Sequence, residues 1–207
     1  MSSIAAIVLA AGRSSRFREA GGAEETKLVA MLDGKPIVVR VVEAALASRA
    51  RPVIVVVGHA RGAVEAALSA LPVTIVFNPD YAIGLASSLR AGLTAIPADA
   101  GGALVLLGDM PNVEAPLIDA LIAAFEARPD ALAVAPVQKG QRGNPILLGR
   151  TLFYEAMQLK GDEGARRIVA ALDRRDIAEV HASGGASTFD VDTPGDLLEK
   201  SPPRSED

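Results

Sequence analysis

Three cations stand close behind a small-residue turn near the start of the chain. In IAAIVLAAGRSSRFREAGGAEETK, residues Ile4 to Lys27, the apolar run Ile7-Val8-Leu9 passes straight into Ala10-Ala11-Gly12-Arg13-Ser14-Ser15-Arg16. Gly12 lacks a Cβ and lets the backbone come close to a ligand. Free N–H groups in such a turn point at anions, and Arg13, Arg16 and Lys27 add full positive charge. The chemistry that suits this set is polyphosphate binding, with a solvated basic turn as the plainer alternative. Neither G-x-G-x-x-G nor G-x-x-x-x-G-K-[ST] is present, so the turn is not a dinucleotide fingerprint or a P-loop.

Carboxylates form the second set. Asp109 follows the apolar run Ala103–Leu107 and Gly108, and Met110-Pro111 turn the chain away, so its side chain is expected at a strand tip. Mg²⁺ is typically held by one or two carboxylates plus substrate phosphates, and Asp109 with Asp190 or Asp192 would provide the pair. Asp192 precedes Thr193-Pro194, a common helix opening, and could instead be an N-cap. Only one of the two is expected to face the ligand, and Asp190 is preferred. A polar loop holds Asn78, Gly84, Ser87 and Ser88. In the second half, Arg142-Gly143-Asn144 and the stretch from Asp162 through Gly164 to Arg166 are candidates for binding an acceptor; each could equally be a hairpin turn or a helix start. His59 and His181 have no partner pattern and read as surface or loop residues.

The elements that must position these residues follow a strand–loop–helix beat. Strands are expected at Ile7–Leu9, Val53–Val57, Val73–Val76, Ala103–Leu107, Ala131–Pro136, Pro145–Leu148 and Ile177–Val180, with a last extended element at Thr188–Asp192. Helices are expected from Pro36 to Ser48, Gly62 to Ser69, Leu85 to Ile96, Pro116 to Ala127, Thr151 to Met157, Asp162 to Leu172, and from Thr193-Pro194 onward. The alternation predicts an α/β fold with a mostly parallel sheet covered by helices on both faces. A single domain over residues 1–200 is expected, with 201–207 as a polar tail. In such sheets ligands bind beyond the carboxyl ends of the strands, and every cluster named above falls at such an end.

Composition narrows the function classes. Half of the 207 residues are hydrophobic but only 3% are aromatic, so the core must be built from Ala, Val, Leu and Ile, a mix suited to parallel strands under helices. A net charge of −4 argues against general nucleic-acid binding. With no cysteine, disulfides, thiolate catalysis and zinc–thiolate sites are excluded, and two histidines make a histidine metal site a poor fit. The start has no signal-peptide pattern and no apolar run reaches the roughly 20 residues of a membrane span, so a cytoplasmic protein with no membrane partner is expected.

Taken in order, L-A-A-G-x-S-x-R, a lysine, G-D-M-P after a strand, G-N-P, G-D-x-G-A-R and D-x-D-T-P-x-D-L resemble the MobA-like nucleotidyltransferases, from about Ile4 to Leu198. Leu9-Ala10-Ala11-Gly12 looks like the branch of molybdenum cofactor cytidylyltransferases, since the guanylyl branch usually reads L-A-G-G. The resemblance implies a Rossmann-like three-layer α/β/α sandwich of the nucleotide-diphospho-sugar transferase type. It implies transfer of CMP from CTP to the terminal phosphate of molybdopterin, with release of pyrophosphate and with Mg²⁺ as cofactor. Leu9, Ala10, Ala11, Gly12, Arg13, Ser14 and Arg16 would cradle the nucleotide, and Lys27 would neutralise the triphosphate. Asn78, Gly84, Ser87 and Ser88 would lie near base and ribose. Asp109 with Asp190 would bind the metal, and Arg16, Lys27 and Asp109 would carry catalysis. Arg142, Gly143, Asn144, Asp162, Gly164 and Arg166 would meet the pterin.

The expected partners are CTP and the pterin phosphate, with a molybdoenzyme or its chaperone as a candidate, and the expected state is a monomer. One departure stands out: relatives place the lysine soon after R-M-G, whereas here Glu19 to Thr26 intervene as a longer loop. That loop could be a lid, or the mark of a different acceptor. A related transferase using GTP or another small phosphate, and a cofactor-binding protein or oxidoreductase on the same fold, are the alternatives.

Overall fold

The computed structural model describes residues 3–182 and 190–198. The strand at its centre, β1 (Ile4–Ala10), is buried along its whole length and pairs in parallel with β4 (Val53–Val57) on one side and β6 (Gly102–Leu107) on the other. An apolar run without alternation is what a strand covered on both faces requires. Ile4, Ala6, Val8 and Ala10 enter one core and Ala5, Ile7 and Leu9 the other, as the two-residue period dictates.

Around β1 the chain runs as follows. Helix α1 (Ser15–Glu19) precedes the short hairpin β2 (Met31–Leu32) and β3 (Lys35–Pro36), and α2 (Ile37–Ala47) leads to β4. Next come α3 (Arg61–Leu68), β5 (Thr74–Phe77), α4 (Leu85–Thr94), β6 and α5 (Ala115–Ala127). The second half holds β7 (Ala133–Gln138), β8 (Gln141–Arg142), β9 (Ile146–Gly149), α6 (Phe153–Gln158), α7 (Ala165–Ala171), β10 (Ile177–His181) and α8 (Pro194–Leu198). The sheet order is β10-β7-β9-β6-β1-β4-β5, with β8 paired to β7. Within this sheet the pairs are parallel except those of β9 with β6 and β7 and of β8 with β7. Helices α2, α3 and α5 supply one core and α4, α6 and α7 the other, so the molecule is the three-layer α/β/α sandwich that the alternation predicted.

Boundaries moved where local chemistry outweighs periodicity. Helix α7 begins at Ala165 rather than Asp162, because Lys160–Gly164 form a turn in which the Lys160 N–H donates to the Glu163 carboxylate at 3.0 Å. Strand β9 begins after Pro145, which has no N–H for the ladder. The expected Thr188–Asp192 element lies partly outside the described residues, and the tail at 201–207 lies wholly outside them. A small third cluster joins Phe17, Ala30, Leu32, Ile37 and Val191, so the 190–197 segment is seated on the segment that follows β1.

Helix α4 lies close on β1 because Gly92 is small: a Cβ there would fall 2.5 Å from Cγ2 of Ile7. Ile7 is 0% exposed. Replacing it with Ala should destabilise the fold by about 2–5 kcal/mol, because α4 cannot collapse into the space left. Urea denaturation followed by circular dichroism is the check.

Candidate active site

A cleft of about 590 Å³ opens at the carboxyl ends of β1 and β6. Its floor is set by the register Leu9↔Leu107 and by the Gly108 N–H, which donates to the Leu9 carbonyl at 2.9 Å. One residue later Asp109 leaves the strand end. Ala11, Gly12, Arg13, Ser14 and Arg16 line one wall, and Tyr81, Ala82, Gly84, Leu85, Ser88 and Asp162 line the other, with Lys27, Asp109 and Asp192 at the bottom.

Lys27 is placed by its own loop. Ser14, held at a left-handed φ of 51°, shares a hydrogen bond with Thr26 Oγ1 at 2.9 Å, and the Lys27 N–H donates to Ser14 Oγ at 3.3 Å. Thr26 is fully buried, and Phe17 anchors α1 from below. The Lys27 side chain then reaches between two carboxylates, 2.7 Å from Asp109 Oδ2 and 3.1 Å from Asp192 Oδ1. Burial alone would pull its ammonium toward neutrality, but Asp109 and Asp192 outweigh that and raise its pKa above the usual lysine value. The second Asp192 oxygen accepts from Arg16 Nη1 at 2.8 Å.

Asp109, Asp190 and Asp192 each bring a carboxylate oxygen within 4.8 Å of the others. The expectation that Asp190 alone of the C-terminal pair faces the ligand is corrected: Asp192 is the one in the cleft lining, and the two carboxylates converge beside Asp109 because residues two apart on an extended segment share a side. The Val191 N–H between them donates to the Asp109 carbonyl at 3.0 Å, which ties the segment to the strand end. Nor does the Asp192 side chain cap the helix. Asp196 in α8 reaches back and accepts from the N–H groups of Asp192 and Thr193 at 2.9 and 2.7 Å, which leaves the Asp192 carboxylate to the cleft.

An all-oxygen set of this kind suits a hard divalent cation. Asp109 Oδ1 is buried without a hydrogen-bond partner, an acceptor that such an ion would satisfy. The titration of two members reflects these surroundings in opposite directions. Burial first, then the charges of Asp109 and Asp192, hold the Asp190 carboxyl above the usual range. Burial also pulls Asp192 upward, but its bonds to Lys27 and Arg16 win and leave it below that range.

The other candidates divide. Leu9, Ala11, Gly12, Arg13, Ser14, Gly84 and Ser88 lie in the lining, whereas the Ala10 side chain is packed into the core beneath. Asn78 and Ser87 stand behind the wall instead of in it. The Asn78 amide donates to Ser87 Oγ at 2.9 Å and Ser88 Oγ at 3.1 Å, while its Oδ1 accepts from the Asp80 N–H at 3.0 Å. Both are buried and hold the 78–88 loop in shape. Of the acceptor candidates only Asp162 lines the cleft. Arg142 is paired with Glu179 at 2.7 Å, Asn144 is buried, and Arg166 is exposed outside the lining. Gly164 supports the wall from behind, where a Cβ would fall 2.7 Å from Leu85 Cδ2.

Tyr81 was not singled out by motif, although it is one of only two tyrosines and follows a strand end. It packs where a Cβ on Gly58 would fall 2.5 Å from its own Cβ and 2.8 Å from that of Ala11. His59, read as a surface or loop residue, is half-buried against the Tyr81 ring, with centroids 6.1 Å apart. Among the described residues no helix is long and apolar enough to cross a membrane.

A mostly parallel α/β sheet that presents cations and clustered carboxylates at its strand ends has the chemistry that nucleoside triphosphate transferases require. The chain belongs to the family described as the MobA-like NTP transferase domain, which matches residues 6–177. It is 28% identical over 198 residues to the molybdenum cofactor cytidylyltransferase of Escherichia coli K12, covering 96% of this chain and 95% of that protein. It is 32% identical over 149 residues to the bifunctional protein GlmU of Syntrophotalea carbinolica, which matches 72% of this chain but only 30% of GlmU. The solved structure of Rv0371c from Mycobacterium tuberculosis H37Rv in complex with manganese superposes with a TM-score of 0.80 at 27% identity, covering 96% of this chain and all of that one.

The raised pKa of Asp190 has a fixed sign. A folded carboxyl held above its unfolded value contributes stability at low pH, and that contribution is lost as pH rises through the folded value. Asp190→Asn in metal-free protein should therefore raise the melting temperature at pH 7 and leave it near wild type at pH 3, as read by thermal denaturation across pH.

Proposed function

We propose that the protein is a divalent-metal-dependent transferase that moves CMP from CTP to the terminal phosphate of a molybdopterin-type acceptor and releases pyrophosphate. The observation that carries this reading is the joining of Lys27 and Arg16 to the Asp109–Asp190–Asp192 cluster in one cleft. Full-length likeness to a molybdenum cofactor cytidylyltransferase supports the choice of substrates, and the manganese complex of Rv0371c supports a divalent ion.

The reaction asks for little covalent chemistry from the protein. An oxygen of the acceptor phosphate forms a bond to the α-phosphorus while the bond from that phosphorus to the bridging oxygen of the β-phosphate breaks, and pyrophosphate carries away the electron pair. Arg13 and the backbone at Gly12 meet the β- and γ-phosphates at the mouth of the cleft. Lys27 stabilises charge that develops as the bridging oxygen leaves. Asp109, Asp190 and Asp192 would hold Mg²⁺ or Mn²⁺, which when bound polarises the phosphates and neutralises their charge. Tyr81, Leu85 and Ser88 offer an apolar face and one hydroxyl to the nucleoside, and Asp162 marks the side from which the acceptor enters. The cleft serves a soluble biosynthetic enzyme of the cytoplasm on this reading, with a molybdoenzyme or its chaperone receiving the product.

Pyrophosphate release should occur with CTP and far less with GTP, ATP or UTP when Mg²⁺ and the molybdopterin cofactor are present. Asp109→Ala should lower the rate by about 100-fold or more, and chelation of the metal should abolish it. Preference for GTP would move the protein to the guanylyl branch. Silence with every nucleotide and with a panel of sugar phosphate acceptors would discard the transferase reading.

A further inference from the structure

Both oxygens of Asp192 are engaged, and by the two cations that the transferase reading assigns to phosphate. Arg16 Nη1 lies 2.8 Å from Oδ2 and Lys27 Nζ lies 3.1 Å from Oδ1. The two cations differ in what else they hold. Lys27 has a second, closer partner in Asp109 and a side chain only 13% exposed. Arg16 has no other polar partner among the described residues, and its side chain is 77% exposed at the mouth of the cleft. Asp192 thus has two incompatible claims on it: it neutralises the phosphate-binding cations, and it belongs to the cluster that suits a divalent ion.

We propose that Asp192 is a transfer point that holds Arg16 out of use in the metal-free protein and gives it up to the β- and γ-phosphates of the nucleotide when the carboxylate turns to a divalent cation. The inference rests on the metal-dependent transferase reading and adds to it an order of events within the protein. Three features support it. The Arg16–Asp192 contact is exposed, hence weak and quickly exchanged. Arg16 sits on α1, whose buried Phe17 fixes the backbone so that only the side chain must swing. The Asp192 backbone is held independently by Asp196 and by the Val191–Asp109 bond, so its carboxylate can change partner without the segment leaving. The consequence is that pyrophosphate or triphosphate alone meets a site whose cations are partly neutralised, while the metal-bound site meets it with Arg16 free.

The test is calorimetric titration of the whole protein with inorganic pyrophosphate, with and without Mg²⁺. Asp192→Asn should tighten metal-free pyrophosphate binding by about three- to tenfold, the size expected when one exposed charge pair is released. Adding Arg16→Met should remove most of that gain. Arg16→Met alone should leave metal-free binding near wild type but weaken Mg²⁺-supported binding by about threefold or more. The inference is overturned if Asp192→Asn binds metal-free pyrophosphate no more tightly than wild type, or if the gain is the same with and without Arg16. Should Asp192→Asn fail to fold, Arg16→Met decides alone, since equal losses with and without Mg²⁺ overturn the proposal. Wild-type protein that binds no pyrophosphate even with Mg²⁺ overturns the transferase reading and this inference together, which separates that failure from the others.

Discussion

The contact on which the site depends is the Lys27 ammonium between Asp109 and Asp192. It joins three segments far apart in the chain: the loop after β1, the end of β6 and the stretch before α8. A partly buried ammonium or carboxylate left without its partner carries a desolvation penalty. Together the three groups close a cluster in which burial and the charges of Asp109 and Asp192 hold the Asp190 carboxyl above the ordinary range. The site is thus built with an excess of negative charge and a buried, unpartnered oxygen on Asp109, the state that a divalent ion relieves.

The rest of the fold serves to hold that contact still. Parallel pairing of β1 with β4 and β6 brings the strand ends to one edge, and with helices on both faces the cleft opens at that edge. Glycines permit the closest approaches. Gly84, at φ 127°, lies where a Cβ would fall 2.3 Å from the Gly161 carbonyl carbon, and the Ala86 N–H donates to the Gly161 carbonyl oxygen at 3.0 Å. The wall that carries Tyr81, Leu85 and Ser88 and the turn that carries Asp162 are therefore one unit. Arg90 adds to it by donating to the Leu159 carbonyl at 2.6 Å. A shift of the 159–164 turn is therefore felt directly by the 78–88 loop.

By sequence alone the fold class could be read, because fully buried strands demand uninterrupted apolar runs, and Val53–Val57 announces itself without any partner in view. The cations after β1 and Asp109 after β6 were legible for a related reason: each follows an apolar run directly, so its side chain emerges at a strand end. What the tertiary structure alone decided is which polar groups meet. Asn78 and Ser87 carry the chemistry of ligand groups, yet they satisfy each other behind the wall, and nothing in their spacing distinguishes that from a hydrogen bond to a ribose. Thr193-Pro194 left Asp192 open to two readings, a metal carboxylate or a cap; Asp196 takes the capping role and leaves Asp192 to Lys27 and Arg16. Local sequence determines backbone preference and burial pattern over a few residues. The pairing of charges 165 and 176 positions apart is set by the order of strands in the sheet.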